Sequence, residues 1–230
     1  MHKPLILVTG ASRGIGRFLL DSFRSEGHTV IGIFNSNPPE IHQDCCHQVD
    51  LTQFGEVKAF VAKHQFDLHN VVLLNAAGIT YNALAHKAKI EDWMRVMNTN
   101  VGALFNLTSL LLPVMREEGY GRVVNFASVV AQAGVAGTSA YAASKSALWG
   151  LSRALAVENA AKGITINNIN LGYFDIGMIE QVPGPILEFI VQKIPAKRLG
   201  KPSEILSTVK YIIDTPYLNG TAIDLNGGLY

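Results

Sequence analysis

The sequence predicts a doubly wound α/β fold, with a mostly parallel seven-stranded sheet and helices on both faces. Three observations carry that prediction. Short, wholly apolar, β-prone runs alternate with helical patterns along the chain. The first such run passes at once into a glycine-rich turn and then a helix. No internal repeat, low-complexity tract or linker interrupts the 230 residues, so residues 1–230 read as one domain.

Leu5-Ile6-Leu7-Val8 lacks the alternation of a half-exposed strand and suits burial on both faces. Thr9-Gly10-Ala11-Ser12-Arg13-Gly14-Ile15-Gly16 follows, then a helix with Phe18, Leu19, Leu20 and Phe23 on its apolar side, ending near Gly27. Strand, glycine turn and helix in this order form the context of a Rossmann-type dinucleotide site. Gly10 allows the tight turn, Gly14 lets backbone approach a pyrophosphate, and Gly16 lets the helix pack closely. The helix N-terminus offers N–H donors and a positive dipole end to phosphate.

Thr29–Phe34 is the next strand, and it ends in Asn35-Ser36-Asn37 with no carboxylate. An acid at this point ordinarily holds the ribose hydroxyls of NAD. Its absence, with Arg13 in the glycine turn, favours NADPH, although a solvated loop charge is the plain alternative for Arg13. Residues 37–48 read as a shortened connection. Val49-Asp50-Leu51-Thr52 reads as a strand end, with Thr52 capping a helix to about Lys63. Asp50 is either a receiver of the adenine amino group or a turn acid.

Val71–Leu74 is a third apolar strand, closed by Asn75-Ala76-Ala77-Gly78, whose small residues let backbone lie against a cofactor. Asn75 could lock neighbouring backbone. A helical pattern near Glu91–Asn98 continues from about Asn100 to Met115. Asn inside a helix is mildly unfavourable, which fits a buried polar role or a satisfied core amide. Val123–Phe126 is a strand that places Ser128 at a carboxyl edge of the sheet. Ile164–Ile169 and Ala222–Leu225 are the last strands, and Pro202–Ile213 is a helix. The span 172–200 carries three prolines and no strand signal. It is a candidate substrate lid, with a short helix within Ile186–Ile194.

Tyr141 and Lys145 stand four apart in a helical pattern, so both side chains emerge on one face. Free tyrosine titrates near pH ~10, and a neighbouring ammonium favours the phenolate and lowers that value. Tyr-x-x-x-Lys also arises by chance as a solvated pair, and its weight comes from the motifs around it.

The formal net charge of +1, without a basic run, argues against nucleic acid. No stretch is apolar and long enough for a signal peptide or a membrane span. Adjacent Cys45 and Cys46 do not readily bridge one another and read as reduced thiols of a cytoplasmic protein; no ligand set with metal spacing surrounds them.

Taken together, Thr9-Gly-x-x-x-Gly-x-Gly16, Asp50, Asn75-Ala-Ala-Gly78, Asn100, Ser128 and Tyr141-x-x-x-Lys145 resemble the short-chain dehydrogenase/reductase family over essentially the whole chain. Within it, Val8–Gly16, Asn75–Thr80, Gly121–Val124, Arg198–Pro202 and Asp224–Gly228 are most similar to 3-oxoacyl-(acyl-carrier-protein) reductases. The resemblance implies that Tyr141 protonates a carbonyl oxygen, Ser128 orients it, Lys145 lowers the Tyr141 pKa and holds the nicotinamide ribose, and Asn100 anchors a proton-relay water. It implies a cofactor held by Gly10, Ser12, Arg13, Gly14, Ile15 and Gly16, by Asn35, Ser36, Asp50 and Leu51, and by Asn75, Ala76, Ala77, Gly78 and Gly172, with Tyr141 and Lys145. It further implies a homotetramer or dimer, and an acyl carrier protein as partner.

The expected activity is NADPH-dependent reduction of a ketone to a secondary alcohol, the ketone being a 3-oxoacyl thioester on acyl carrier protein or coenzyme A. Another carbonyl is the alternative: a polyketide intermediate, a sugar-derived ketone or a steroid-like ketone. A non-catalytic dinucleotide-binding regulator is the alternative of a different class. Four positions depart from the family pattern: Leu171 replaces a proline, Ile176 replaces a threonine that often binds the cofactor, and Gly119 with Lys162 replace two arginines at the carrier entrance.

Overall fold

The computed structural model describes residues 3–230. In chain order the elements are β1 (Ile6–Thr9), α1 (Gly14–Ser25), β2 (Val30–Phe34), β3 (Cys46–Gln48), α2 (Phe54–Lys63), β4 (Val72–Asn75), α3 (Ile90–Met97), α4 (Ala103–Glu118), β5 (Gly121–Ser128), α5 (Val130–Ala133), α6 (Ser139–Asn159), β6 (Ile164–Leu171), α7 (Gly184–Lys193), α8 (Pro202–Asp214) and β7 (Ala222–Leu225). The seven strands form one parallel sheet in the order β3-β2-β1-β4-β5-β6-β7. The winding direction reverses between β1 and β4, which opens a crevice at their carboxyl ends.

Helices cover both faces, which is why the central strands are buried on alternate residues of either parity. Leu7, Leu73, Val123 and Ile166 pack into the core beneath α2, α4 and α6. Ile6, Val8, Leu74 and Val124 pack with α1 and α8. The predicted α/β class and seven-stranded parallel sheet are therefore what the chain forms.

Several boundaries differ, each for a local reason. The third strand starts earlier than expected, at Cys46 rather than Val49; the ladder still reaches Val49, whose N–H donates to the Phe34 carbonyl at 2.9 Å. Thr52 does not cap α2. Its hydroxyl and N–H both turn back to Asp50 Oδ1, at 2.7 and 2.9 Å, and the N-cap falls to Gln53 with no side-chain hydrogen bond. The helical stretch from 90 to 118 is interrupted by a π-type turn over Asn98–Gly102, with Asn100 buried inside it. β5 and β6 are eight residues each, longer than their apolar cores, because Asn125, Asn168 and Asn170 are accommodated inside the sheet. Among the described residues no helix is long and apolar enough to cross a membrane.

Candidate active site

The crevice is closed at its base by backbone packing. A Cβ on Gly10, which has φ +68°, would lie 2.9 Å from Ala77 backbone, so the glycine turn and the loop after β4 touch main chain to main chain. Thr9 Oγ1 accepts from Ala77 N at 3.0 Å and pins the same junction. The expectation that Asn75 locks this backbone is corrected: Asn75 instead donates to Asn125 Oδ1 at 2.9 Å. Asn125 donates to Ser152 Oγ, and Ser152 donates to Asn168 Oδ1, both at 2.9 Å. A polar chain thus runs under α6 from β4 to β6. It ties the end of β4 and the middles of β5 and β6 to the Tyr141 helix.

Gly16 is needed because a Cβ there would lie 2.3 Å from the Gly10 carbonyl oxygen. Gly14 has φ +57°, in the left-handed region that favours glycine. Helix α1 starts at Gly14 with no side chain capping it and no acid in its first turn. Free N–H donors, a positive dipole end and a backbone without Cβ atoms fit a pyrophosphate. Gly172 has a different local reason: a Cβ there would meet Asn226 Cα at 2.7 Å.

At the β5–α6 corner, Ser128 ends its strand and Tyr141 and Lys145 lie on one side of α6, as the four-residue spacing requires. Lys145 is 6% exposed, and its Nζ donates to the Phe126 carbonyl at 2.6 Å and lies 5.6 Å from the Tyr141 ring centroid. Burial lowers the lysine from its usual 10.5 to about 8. Burial also pushes the Tyr141 phenol above its ordinary value, while its hydrogen bond with Ser128 pulls the other way. This reverses the expected direction for Tyr141. The ammonium sits against a carbonyl on β5 and its charge does not offset the desolvation of the ring.

Asn100 is 1% exposed and fully engaged: Oδ1 accepts from Ile79 N at 2.9 Å, and Nδ2 donates to Ile79 O and to Ser144 Oγ, both at 3.0 Å. Its side chain therefore clamps the loop after β4 to α6. A Cβ on Gly78 would lie 3.4 Å from Asn100 Oδ1 and 3.6 Å from Lys145 Nζ, so these three residues meet. Ser144 was missed as a site residue. It is fully buried and donates to Tyr141 O at 2.8 Å. Its position three after Tyr141, on the buried side of the same helix, is the signal that marks it.

At the other end, Ser12, Arg13, Arg17, Asp21, Asn37, Pro38 and Glu40 line an open cleft of about 400 Å³. Arg17 adds a second cation to this cleft, one helical turn after Arg13. Asp21 holds it with both carboxylate oxygens, at 2.9 and 2.8 Å. Asn35 and Ser36 are exposed just beyond β2. Asp50 is a turn acid here, with Oδ1 bound to Thr52, and Leu51 is buried, its carbonyl accepting from Asn106. Ile176, which stands in the usual threonine position, packs against the core beside α1 and α8 and offers no hydroxyl to a ligand. Among the described residues, no group of three or more His, Cys, Asp or Glu could hold a metal ion.

The comparisons agree with this architecture. The family model for short chain dehydrogenase matches residues 4–184. An acetoacetyl-CoA reductase of Rhizobium meliloti is 37% identical, over 97% of each chain. A 3-oxoacyl-(acyl-carrier-protein) reductase of Escherichia coli is 32% identical, over 98% of this chain and 97% of its own. The ligand-free aldohexose dehydrogenase of Thermoplasma acidophilum superposes with a TM-score of 0.90 at 26% identity, covering 99% of this chain and 94% of the other. With the glycine turn at the crevice and Ser128, Tyr141 and Lys145 gathered at one corner of it, the chain belongs to the short-chain dehydrogenase family of nicotinamide-dependent oxidoreductases.

Proposed function

We propose that the protein reduces the ketone of a 3-oxoacyl thioester to a secondary alcohol, with NADPH as cofactor. The observation that carries this reading is the corner formed by Ser128, Tyr141 and a buried, carbonyl-bound Lys145 beside Gly78. A regulator that only bound dinucleotide would have no use for a lysine buried at such cost.

When bound, the reduced nicotinamide supplies the hydride. The residues do the rest. Ser128 and Tyr141 direct their hydroxyls at the substrate carbonyl oxygen, and Tyr141 gives it a proton. A phenol held above its ordinary pKa by burial is protonated at neutral pH, the form this step requires. Lys145 keeps a positive charge beside the phenol as the proton leaves, and holds the ribose. Ser144 and Asn100 fix the turn of α6 on which both sit. Gly10, Gly14, Gly16 and the first turn of α1 take the pyrophosphate; Ala76, Ala77 and Gly78 line the other wall.

Arg13 and Arg17 at one cleft, with Asn35-Ser36-Asn37 and no carboxylate directly after β2, support NADPH over NADH; Asp21 is engaged by Arg17, and Glu40 stands farther along the rim. The thioester is supported by the acetoacetyl-CoA and 3-oxoacyl reductases among its relatives. Gly119 ends α4 with φ +66° and carries no charge at the position of one carrier-binding arginine, which favours coenzyme A over acyl carrier protein as the handle. We place the protein in the cytoplasm as a homotetramer assembled through α4 and α6, where Phe105 and Val157 are left exposed at 44% and 84%. Absorbance-monitored NADPH oxidation with acetoacetyl-CoA tests the reading, with NADH run in parallel. Turnover that prefers NADPH is expected; NADPH binding without turnover of any 3-oxoacyl thioester would sink the substrate assignment.

A further inference from the structure

Cys45 and Cys46 stand outside the chemistry above, at the junction between a short 3-10 turn (Gln43–Cys45) and β3. Both are partly buried against the core beside α1. Cys45 Sγ accepts from the guanidinium of Arg24 at 3.0 Å, and Asp44 orients that guanidinium from its other side. Cys46 has its sulfur in a seat that exists because residue 32 is glycine: a Cβ on Gly32 would lie 2.6 Å from Cys46 Sγ. Both sulfurs lie against α1, Cys45 Sγ at Arg24 and Cys46 Sγ beside Gly32 near Leu20, and burial, with Cys45 next to it, pushes the Cys46 thiol up to about 12.

Two thiols this close would ordinarily be read as a disulfide. Adjacent residues disfavour it, because their Cα atoms are about 3.8 Å apart while disulfides usually span about 4.4–6.8 Å. An atom inserted between the sulfurs removes that restriction. We propose that Cys45 and Cys46 form a dithiol site for soft, thiophilic trivalent arsenicals. The reaction is a ligand exchange with no change of oxidation state. With the arsenical in its hydrated form, R–As(OH)2, two As–S bonds form, two As–OH bonds break, and each thiol proton leaves with a hydroxide as a molecule of water. Cys45, in contact with the Arg24 guanidinium, attacks first, because the Cys46 thiol is held protonated by burial; Cys46 closes the ring.

The site is coupled to the cofactor cleft by the chain itself. Residues 37–40 of the cleft lead directly into the 3-10 turn, and β3 is a three-residue edge strand that can shift at little cost. Closing a ring through Cys46 draws its sulfur out of the Gly32 seat and loosens that edge.

The test titrates the full chain with phenylarsine oxide, reading intact mass, free thiols and NADPH affinity. One adduct per chain is expected, consuming both thiols, reversed by a small dithiol and resistant to excess monothiol. Cys45→Ser and Cys46→Ser should each give an adduct that a monothiol removes. Arg24→Gln removes the donor 3.0 Å from Cys45 Sγ and should slow adduct formation several-fold. The adduct should weaken NADPH several-fold. Failure to form it, or equal reversal by monothiol in the unaltered chain, overturns the site; an adduct with unchanged NADPH affinity overturns the coupling. The mass readout needs no turnover, so it stands apart from the reductase assignment.

Discussion

Lys145 and Arg13 are both cations at the carboxyl edge of one sheet, yet their surroundings are opposite. Lys145 is 6% exposed, tied to a backbone carbonyl, and set among side chains whose hydrogen bonds are met by one another. Arg13 stands exposed at the start of α1, on the rim of an open cleft shared with Arg17, Asp21 and Glu40. The first region keeps a charge where water cannot reach it and accepts the cost; the second presents charge in water, where each contact is worth little alone. The difference separates the part of the molecule that does proton chemistry from the part that selects a cofactor. It also says where substitutions should act on rate, on stability or on affinity.

The largest expected effect is on rate. Tyr141→Phe removes the proton donor and should lower kcat by about 10²–10⁴-fold, with NADPH binding, followed by fluorescence, unchanged. Retained turnover would move the acid to another residue.

Two substitutions at the buried corner should have opposite signs in stability. Asn100→Ala leaves Ile79 N–H, Ile79 C=O and Ser144 without their partner and should destabilise by about 2–4 kcal/mol, measured by urea unfolding. Lys145→Met should stabilise. Burial lowers this lysine from 10.5 to about 8. The folded state therefore carries the cost of the charge below about pH 8 and sheds it as pH rises towards 10.5. At pH 7 the gain should approach about 3 kcal/mol, at about 1.4 kcal/mol per unit, and it should vanish above pH 10.5. A loss of stability in Lys145→Met would mean that the bond to Phe126 outweighs desolvation. The same titration predicts that reductive turnover of the unaltered protein declines as pH rises through about 8, as a pH–rate profile would show.

The smallest effect belongs to the open cleft. Arg13→Ala should raise the NADPH dissociation constant about tenfold, roughly 1.4 kcal/mol, and leave NADH unchanged. Equal weakening of both would place Arg13 at the pyrophosphate instead of the 2′-phosphate. Raising salt should narrow the difference between the two cofactors, because exposed charges are screened.

Much of this was legible in the chain because it is local. Thr9–Gly16 dictates a strand, turn and helix from its own glycines, and Tyr141 and Lys145 share a face because helical spacing says so. Asn100 could be singled out because Asn is a poor residue for the interior of a helix, and the π-type turn there is the local form of that misfit. What escaped were partners distant in sequence. Ser144 is ordinary in a helix until Asn100, 44 positions earlier, donates to it. Arg17 is an unremarkable helix residue until residues 37–40 come round to form the opposite wall of its cleft.

By itself, then, the sequence determined the order of elements, the parallel buried sheet, the phosphate-binding turn and the pairing of Tyr141 with Lys145, since periodicity and glycine placement act over a few residues. Only the tertiary structure decided the direction in which the Tyr141 pKa moves, the clamp made by Asn100, the seat of the Cys46 sulfur against Gly32 and the engagement of Asp50 by Thr52. Those depend on how much water is excluded and on which atoms face one another across separate elements. Neither quantity is a property of any short stretch of chain.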